Sequence, residues 1–343
     1  MTTGDSGPSV SVIVAAYNGA DCIARAIDSV LSQSVGDYEI IVIDDGSTDA
    51  TRVVLEPYIA AHSIQYHYQS NGGLASARNA GIVRSRGKYL CFLDQDDWLE
   101  RDSVACRLAL YEKYPDLGFV FSDFRLALVG TSEGEIAYAQ STLKRYGCLD
   151  RLPPGCIKIK THEFSVFNSS IWPELLLDCF AWVGTVMFRR DALVDCGAFC
   201  EALRWTPDHD SCVEISRLYD IGYVNKQTAV YCQHASNMSL STEGLYADAV
   251  TVRKKYLDPQ YGLLHGDRQR VKASIADYYL RQARSVVGTG NHWKAVRPTL
   301  QAMKNNPLWW KCYRNLLLAM APMPVFRLLK RWVAQLHAGR AVV

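Results

Sequence analysis

The chain lacks the glycine-rich and lysine-bearing loops that mark the common nucleotide-binding enzymes. Its first apolar segment is followed by Ala16-Tyr-Asn-Gly-Ala20, which is neither a G-x-G-x-x-G motif nor a P-loop. Both motifs work because glycine backbone N–H groups surround phosphate at the start of a helix. Their absence argues against dinucleotide-dependent oxidoreduction and against P-loop chemistry.

Long hydrophobic runs and metal-like cysteine spacing are also missing. The uncharged run at residues 315–326 has only twelve members, too few to span a bilayer. Residues 1–8 are short and polar, so we expect no signal peptide before the first strand. The eleven cysteines are scattered, and the pair Cys196 and Cys200 has no second pair at zinc-site spacing. We therefore expect a cytoplasmic protein whose thiols are reduced and mostly serve packing.

Acidic residues are missing from the C-terminal fifth of the chain. Residues 278–343 contain eleven Lys or Arg and no Asp or Glu, whereas residues 1–277 have a net charge of −9. The basic end has helical patterns at 278–287 and 293–303, and residues 325–336 combine an apolar face with basic residues. Such an end predicts association with an anionic membrane surface. The alternatives are nucleic-acid binding, for which no motif is present, and a helical domain whose basic face is merely solvated.

Three carboxylates within four residues follow one short apolar segment. Residues 89–93 predict a buried strand, and Asp94, Asp96 and Asp97 come directly after it. Like charges at one sheet edge are unfavourable unless a cation neutralises them, and carboxylate oxygens suit Mg²⁺ or Mn²⁺. The alternative is an acidic loop in which Asp102 caps the next helix. Both interpretations are open from this segment alone.

The same arrangement occurs twice earlier in the chain. Residues 9–16 form an apolar segment that ends in Tyr17-Asn18-Gly19, and residues 38–43 form another that ends in Asp44-Asp45-Gly46. Three strands thus carry polar side chains at their carboxyl ends. Ligands bind parallel α/β sheets beyond those ends, so the sequence places polar chemistry along one rim.

Helical patterns separate these strands. Residues 21–33 have Ile and Leu at helical spacing, with Asp21 as the expected N-cap, and residues 74–85 form a second pattern entered through Gly72-Gly73. Alternating strands and helices predict an α/β fold whose mostly parallel sheet is covered on both faces.

Four segments in this order closely resemble the family 2 glycosyltransferases of the GT-A fold. The order and spacing of these segments match the family over roughly the first 110 residues. A weaker similarity extends to about residue 240, and it includes residues 196–210 and Tyr231-Cys-Gln-His234. The resemblance implies a GT-A-type, Rossmann-like sheet and inverting transfer of a sugar from a nucleotide-sugar. The four segments are residues 10–18, 41–49, 71–81 and 93–97.

The resemblance implies a donor-nucleotide site at the rim. Asp45 would accept a hydrogen bond from the base, because an ionised carboxylate is acceptor only. Asp94 or Asp96 would accept from the ribose hydroxyls. Arg78 would face the base or a phosphate, with a solvated surface charge as the alternative. The implied donor-nucleotide residues are Ala15, Tyr17, Asn18, Asp45, Arg78, Asp94 and Gln95.

A divalent metal, Mn²⁺ or Mg²⁺, is implied between the D-x-D motif and the two phosphates. Asp96 and Asp97 are the expected carboxylate ligands, and His234 is the expected third contact to metal or phosphate. The metal would act as a Lewis acid on the departing nucleoside diphosphate. A lone histidine is more often structural, which is the alternative for His234.

Inverting transfer requires a carboxylate that takes the proton of the acceptor hydroxyl, and the resemblance assigns this role to Asp208. Asp210 is the rival, and on a helix the two side chains would point to different faces. This sequence departs from the family pattern in having Pro207 and His209 around Asp208. The alternative is that Pro207-Asp208 simply starts a helix.

Other acceptor-side residues carry weaker signals. Trp182 and Gly184 precede an apolar segment that should flank the acceptor, and Trp182 would stack on a sugar ring or, as we favour, pack in the core. Residues 126–171 show little periodicity, which predicts acceptor-side loops.

The sequence therefore predicts a nucleotide-sugar-binding half at 1–110, an acceptor-binding half at 111–245 and a helical basic region at 246–343. We expect a metal-dependent transferase that uses a nucleotide-sugar, with UDP-sugar favoured, and a glycan or lipid-linked acceptor in surface polysaccharide or glycoconjugate synthesis. It would be cytoplasmic, at the inner face of the membrane, without nucleic acid. The alternatives are a nucleotidyltransferase, whose Gly-rich basic loop is missing after the first strand, and a non-catalytic sugar-nucleotide- or glycan-binding subunit, against which the retained acids argue.

Overall fold

The computed structural model describes residues 7–129, 136–139, 149–234, 237, 242–287 and 292–320. The chain divides into two compact units, Met1–Asn237 and Met238–Val343. The division into three parts at 110 and 245 stays a prediction.

The first unit contains an eleven-stranded sheet among its described residues. Its order is β3-β2-β1-β4-β10-β6-β11-β9-β8, with β5 paired to β11 and β7 to β6. The strands are β1 (Val10–Ala16), β2 (Tyr38–Asp44), β3 (Gln65–Tyr68), β4 (Tyr89–Asp94), β5 (Trp98–Leu99), β6 (Phe119–Val129), β7 (Ile136–Ala139), β8 (Ile157–Lys160), β9 (Phe164–Phe167), β10 (Met187–Arg189) and β11 (Ile221–Gln233).

Helices cover this sheet and build the second unit. In the first unit they are α1 (Ile23–Leu31), α2 (Thr51–Ala60), α3 (Leu74–Arg84), α4 (Ser103–Lys113), α5 (Trp172–Leu177), α6 (Arg190–Asp195) and α7 (Pro207–Leu218). In the second they are α8 (Thr242–Lys255), α9 (His265–Val287), α10 (Val296–Asn305) and α11 (Trp310–Met320).

Strand direction brings distant segments to one rim. Strand β1 is parallel to both β2 and β4. The short β10 is antiparallel to β4 and to β6, so those two strands run the same way, and β11 is parallel to β6. The carboxyl ends of β1, β2, β4 and β11 therefore lie along one edge. The predicted α/β fold with a mostly parallel sheet is confirmed.

Apolar periodicity explains how α1 lies on the sheet. Ile23, Ala26, Ile27 and Val30 recur at helical spacing, and all four are buried in the core on that face of the sheet. The expected N-cap at Asp21 is wrong, because α1 begins at Ile23 with Cys22 in the cap position. The backbone N–H groups of Cys22 and Ile23 donate to the Gly19 carbonyl instead of to a capping side chain.

The expectation of loops throughout 126–171 is wrong for the described residues. Strand β6 continues to Val129, β9 pairs with β11 and β8 pairs with β9 at the sheet edge. Strands β8 and β9 have four residues each, which is too short for a clear periodic pattern in the sequence.

The second unit is helical in its described residues. Its core contains Ala276, Leu280, Ala302 and Cys312. The predicted helix at 278–287 is the end of α9, and the predicted pattern at 293–303 spans a 3₁₀ turn and α10. Residues 325–336 lie outside the described part of the chain. No described helix combines the length and the apolar character needed to cross a membrane.

Candidate active site

The loops after β1 and β4 are joined by one side-chain amide. Gln95 donates from Nε2 to the Tyr17 carbonyl, and its Oε1 accepts the Tyr17 N–H, both at 2.9 Å. Gly19 leaves room for this contact, since a Cβ there would lie 2.1 Å from Gln95 Oε1. Gln95, predicted to contact the donor, therefore uses its amide to hold the loop that carries Tyr17. The Tyr17 side chain is 48% exposed at the rim.

The loops after β1 and β2 are joined through Asn18. Its backbone N–H donates to Ser47 Oγ at 2.9 Å, and its Oδ1 accepts the Thr48 N–H at 2.8 Å. Asn18 has φ of 50°, a left-handed conformation that asparagine tolerates better than most residues. Ala15 lies beneath these loops, buried in β1 and level with Asp94 of β4.

Asp45 is buried behind the turn that starts α3. Its Oδ1 accepts the Gly72 N–H and Gln69 Nε2, and its Oδ2 accepts the Gly73 N–H, each at 2.8 Å. Gly73 has φ of 90°, which favours glycine at this position. Three bonds leave capacity on a carboxylate, which has about four lone-pair sites, so the arrangement is compatible with a further bond from a base.

Arg78 is buried and faces the rim. Its Nη2 donates to Asp94 Oδ1 at 2.7 Å, and its guanidinium lies 5.5 Å from the centroid of the Phe199 ring. The alternative of a solvated surface charge is therefore wrong for this arginine, whose side chain is 3% exposed.

Asp96 and His234 come together from distant positions in the sequence of the first unit. His234 Nε2 lies 2.9 Å from Asp96 Oδ2, across 138 positions of sequence. Asn237 Nδ2 donates to the same oxygen at 3.2 Å, and the Asn237 Oδ1 accepts the His234 N–H. Burial raises the pKa of Asp96 and the nearby Asp94 charge adds to this, whereas the His234 contact opposes it.

Asp97 is buried directly behind Asp96. Its Oδ1 accepts the Cys232 N–H at 2.7 Å, which fastens the acidic loop to β11. No described group hydrogen-bonds its Oδ2. Burial raises its pKa well above the ordinary value, and the charges of Asp96 and Asp94 raise it further.

The oxygen and nitrogen atoms of Asp96, Asp97 and His234 meet part of the ligand requirement of a hard divalent cation. A carboxylate oxygen and an imidazole nitrogen meet at Asp96 and His234, and one buried oxygen of Asp97 accepts no hydrogen bond from the described residues. Within the ranges that the structure describes, no group of three or more His, Cys, Asp or Glu is placed to hold a metal. Mg²⁺ is often bound by one or two carboxylates together with substrate phosphates, so these residues fit a metal that is bound together with a diphosphate.

Asp208 lies in the first turn of α7, after Pro207 at a helix-start position. The side chain is half-buried. Burial raises its pKa, the Arg78 charge lowers it and the Asp94 charge raises it. The structure therefore brings Asp208 into electrostatic contact with the buried Arg78–Asp94 pair. The rival Asp210 is buried on the same helix, 6% exposed.

Packing fixes the start of α7. His209 Nε2 lies 2.8 Å from the Leu175 carbonyl, and Ser211 Oγ donates to the Ala198 carbonyl at 2.7 Å. The departure from the family pattern at His209 therefore has a structural use in this chain.

Trp182 is half-buried and packs against the core of the first unit. Its ring packs against Phe124 and Tyr231, with ring centroids 5.0 and 5.2 Å away. Gly184 lies against the indole, because a Cβ there would be 2.5 Å from the ring. The core interpretation of Trp182 agrees with these contacts.

Two residues that support the site were not identified from the sequence. Arg25 of α1 donates to the Asp96 carbonyl at 2.9 Å and lies 4.1 Å from the Trp98 ring centroid. Asn79 of α3 donates to the Phe199 carbonyl and accepts its N–H. Asn79 lies in segment 71–81, whose resemblance to the family could have drawn attention to it. Arg25 lies outside the four matching segments, so no sequence motif pointed to it.

Comparison with known proteins places the first unit in a family. Residues 11–147 match the model of glycosyl transferase family 2. An uncharacterized glycosyltransferase of Rickettsia prowazekii is 27% identical over 78% of this chain and 79% of its own. The putative teichuronic acid biosynthesis glycosyltransferase TuaG of Bacillus subtilis is 34% identical over 44% of this chain and 61% of its own.

Solved structures share the fold. Staphylococcus aureus TarS 1-349 in complex with UDP-GlcNAc has a TM-score of 0.60 and 18% identity, over 95% of this chain and 92% of that one. The mannosyltransferase PcManGT of Pyrobaculum calidifontis with GDP-Man and Mn²⁺ has a TM-score of 0.57 and 16% identity, over 96% and 84%. With the relatives above, these similarities identify the chain as a glycosyltransferase with the GT-A fold, in which residues 11–147 match family 2.

Proposed function

We propose that this glycosyltransferase is inverting and metal-dependent and transfers a sugar from a nucleotide-sugar, with UDP-sugar favoured, to a hydroxyl of a glycan or lipid-linked acceptor. The observation that carries the proposal is the placement of Asp208 within electrostatic reach of the Arg78–Asp94 pair. Asp94 begins the loop that also holds the Asp96–His234 contact. In this proposal Asp208 serves the acceptor, and Asp94 and Asp96 serve the donor.

Asp208 acts as the general base in this proposal. It takes the proton from the acceptor hydroxyl as that oxygen attacks the anomeric carbon, a contribution of roughly 10²- to 10⁴-fold in rate. Burial favours the neutral acid, and the charge of Arg78 favours the ionised form that a base requires.

The donor nucleotide lies along the joined loops after β1, β2 and β4. Asp45 accepts from the base, Tyr17 and Asn18 line the same pocket above Ala15, and Asp94 accepts from the ribose. The hydrogen bonds of Gln95 and Asn18 keep these loops in place before the donor binds. The complexes of TarS with UDP-GlcNAc and of PcManGT with GDP-Man support a nucleotide-sugar donor for this fold.

Asp96, Asp97 and His234 would hold Mn²⁺ or Mg²⁺. A bound metal of this kind neutralises charge on a departing diphosphate as a Lewis acid. The Mn²⁺ in the PcManGT complex and the converging oxygen and nitrogen atoms here support this assignment.

The setting we propose is synthesis of a surface polysaccharide or glycoconjugate, at the cytoplasmic face of a membrane. The name of the relative TuaG, a putative teichuronic acid biosynthesis glycosyltransferase, supports a role in the synthesis of a surface polysaccharide. The basic C-terminal region supports the membrane location.

Thermal unfolding with UDP, GDP, CMP and dTDP, each with and without Mn²⁺, tests the proposal. A nucleotide at a hundred times its Kd adds about 2.7 kcal/mol of stability. We expect one diphosphate, UDP in the first instance, to stabilise the chain only when metal is present. Equal unfolding temperatures under all conditions would argue against a nucleotide-sugar donor, and a metal-independent shift would argue against the metal.

A further inference from the structure

We propose that an aromatic and basic surface on the second unit docks onto an anionic phospholipid membrane. This aromatic–basic surface consists of Trp293, Arg297, Leu300 and Lys304 on α10 and its preceding turn, with Leu308 in the turn before α11 and Trp310 at the start of α11. The inference rests on the peripheral location in the proposed function and assigns it to particular residues.

Large apolar side chains are exposed on this surface. Leu308 is 92% exposed, Trp310 59%, Trp293 58% and Leu300 45%. Soluble proteins seldom group large exposed apolar side chains without an interaction to explain them. The grouping therefore indicates a binding surface.

Helical spacing puts Arg297, Leu300 and Lys304 on one side of α10, and Trp293 lies in the 3₁₀ turn that leads into this helix. Trp293, Arg297, Leu300 and Lys304 follow one another at intervals of four, three and four positions. The intervening positions Pro298, Thr299 and Ala302 are buried against the rest of the unit. Apolar and cationic side chains thus alternate along one exposed stripe.

Cations accompany the aromatic rings at the start of α11. The Arg314 guanidinium lies 4.9 Å from the Trp310 ring centroid, and Lys311 Nζ lies 4.9 Å from that of Trp309. Residues 278–343 contain eleven basic and no acidic residues, so nothing in this segment of the sequence offsets the charge.

The combination fits a lipid surface better than the other candidates. Trp residues favour the level of the lipid headgroups, and basic side chains are attracted to anionic lipids. A second copy would bring two surfaces of like charge together, which is unfavourable. A nucleic acid would neutralise the cations but would leave the aliphatic Leu300 and Leu308 without an apolar partner.

Vesicle flotation of the full chain provides the test. The wild-type chain should float with mixed phosphatidylcholine–phosphatidylglycerol vesicles and much less with pure phosphatidylcholine. Arg297→Gln with Lys304→Gln should lower the partition coefficient about 30-fold, because each cation near the surface contributes about 1 kcal/mol. Leu308→Ser with Trp310→Ser should lower it at least about tenfold, through lost apolar burial.

Matched controls come from the first unit. Val83 is 82% exposed on α3, and the Arg52 side chain is 59% exposed on α2. Val83→Ser and Arg52→Gln should float as wild type does. All variants should keep the wild-type unfolding temperature and its shift with nucleotide, which separates this test from that of donor binding.

Three outcomes would overturn the docking proposal. The first is a wild-type chain that does not float with anionic vesicles. The second is flotation of both double variants at the wild-type level. The third is that these variants float as wild type does but lose binding to duplex DNA or single-stranded RNA, or lose self-association measured by sedimentation.

Discussion

At the scale of single residues, Arg78 links Asp94 and Asp208 in the candidate site. It is buried, pairs with Asp94 and acts through its charge on Asp208. A buried arginine is costly unless its charge is paired, so its position is set by the acids around it. The same charge that orders Asp94 also favours the ionised form of Asp208.

Asp208→Asn should leave nucleotide binding intact and lower turnover by roughly 10² to 10⁴. The amide keeps the shape of the side chain but cannot take a proton at neutral pH. Calorimetric titration with the nucleotide and steady-state turnover separate the two effects. Asp210→Asn is the matched comparison, and a larger loss of turnover there, at an unchanged unfolding temperature, would move the base to Asp210.

Asp96→Asn should abolish metal-dependent turnover while the fold is kept. The substitution removes the carboxylate that His234 and Asn237 contact. Turnover measured against Mn²⁺ concentration is the readout. Asp102→Asn serves as control, since Asp102 is half-exposed and pairs with Lys226 at the surface. Wild-type metal dependence in Asp96→Asn would remove this residue from the metal site.

At the scale of elements, the site depends on how the loops after the strands are joined. One amide, Gln95, holds the backbone of Tyr17 by two hydrogen bonds, and Asn79 holds Phe199 in the same way. These bonds connect segments 78 and 120 positions apart. The conformations of these loops therefore depend more on hydrogen bonds between loops than on the local sequence of each loop.

Gly19→Ala should weaken nucleotide binding. The added Cβ would lie 2.1 Å from Gln95 Oε1, so the Gln95 amide must move and release Tyr17, and the loss of two hydrogen bonds should cost about 1–3 kcal/mol. Calorimetric titration of the nucleotide measures the effect. Gly36→Ala is the matched control, because a Cβ there meets no atom within 4 Å. Equal affinities in the two variants would contradict the role of the Gln95 contact.

Glu39 joins three strands and gives the first unit a pH-dependent stability. It accepts bonds from Ser11 of β1, Gln65 of β3 and the backbone of Arg86. Burial raises the pKa of Glu39, but these bonds outweigh burial and the pKa lies below the ordinary value of 4.5. Its stabilisation is therefore present above the unfolded-state pKa and is lost as pH falls through the lower, folded-state pKa.

Glu39→Gln should accordingly lower the free energy of unfolding at neutral pH. The difference from wild type should shrink in acid, once the wild-type carboxylate is protonated as well. Urea unfolding at a series of pH values measures this. Glu56→Gln, at a side chain that is 52% exposed, should show little effect at any pH. A difference for Glu39→Gln that stays constant down to acid would argue against an ionised, hydrogen-bonded Glu39.

At the scale of the whole molecule, metal and nucleotide are expected to act together. The described residues contain no group of three or more His, Cys, Asp or Glu placed to hold a metal, so in the proposed function the diphosphate would complete the coordination. The first unit would thus fold without metal and require it only for the donor.

Chelation should therefore abolish turnover without changing the unfolding temperature of the nucleotide-free chain. Turnover should return when Mn²⁺ is added. Thermal unfolding with and without EDTA, beside an activity assay, tests both statements. A fall in unfolding temperature on chelation alone would indicate a preformed metal site instead.

The sequence by itself determined the strands β1, β2 and β4, the helices α1 and α3, and the rim at which the polar residues of these strands lie. It could do so because apolar periodicity is local and parallel strands direct their carboxyl ends to one edge. The same local reasoning was wrong at Asp21 and in 126–171, where a turn and short edge strands replaced the expected cap and loops.

Only the tertiary structure decided which distant residues meet. The contact of Asp96 with His234, the burial of Asp97 against Cys232 and the support from Arg25 all depend on strand order. That order follows from the antiparallel β10 inserted between β4 and β6, which sets β11 parallel to the nucleotide-side strands. No local pattern encodes such an insertion, because it is fixed by pairing between segments that are 67 to 100 positions apart in the sequence.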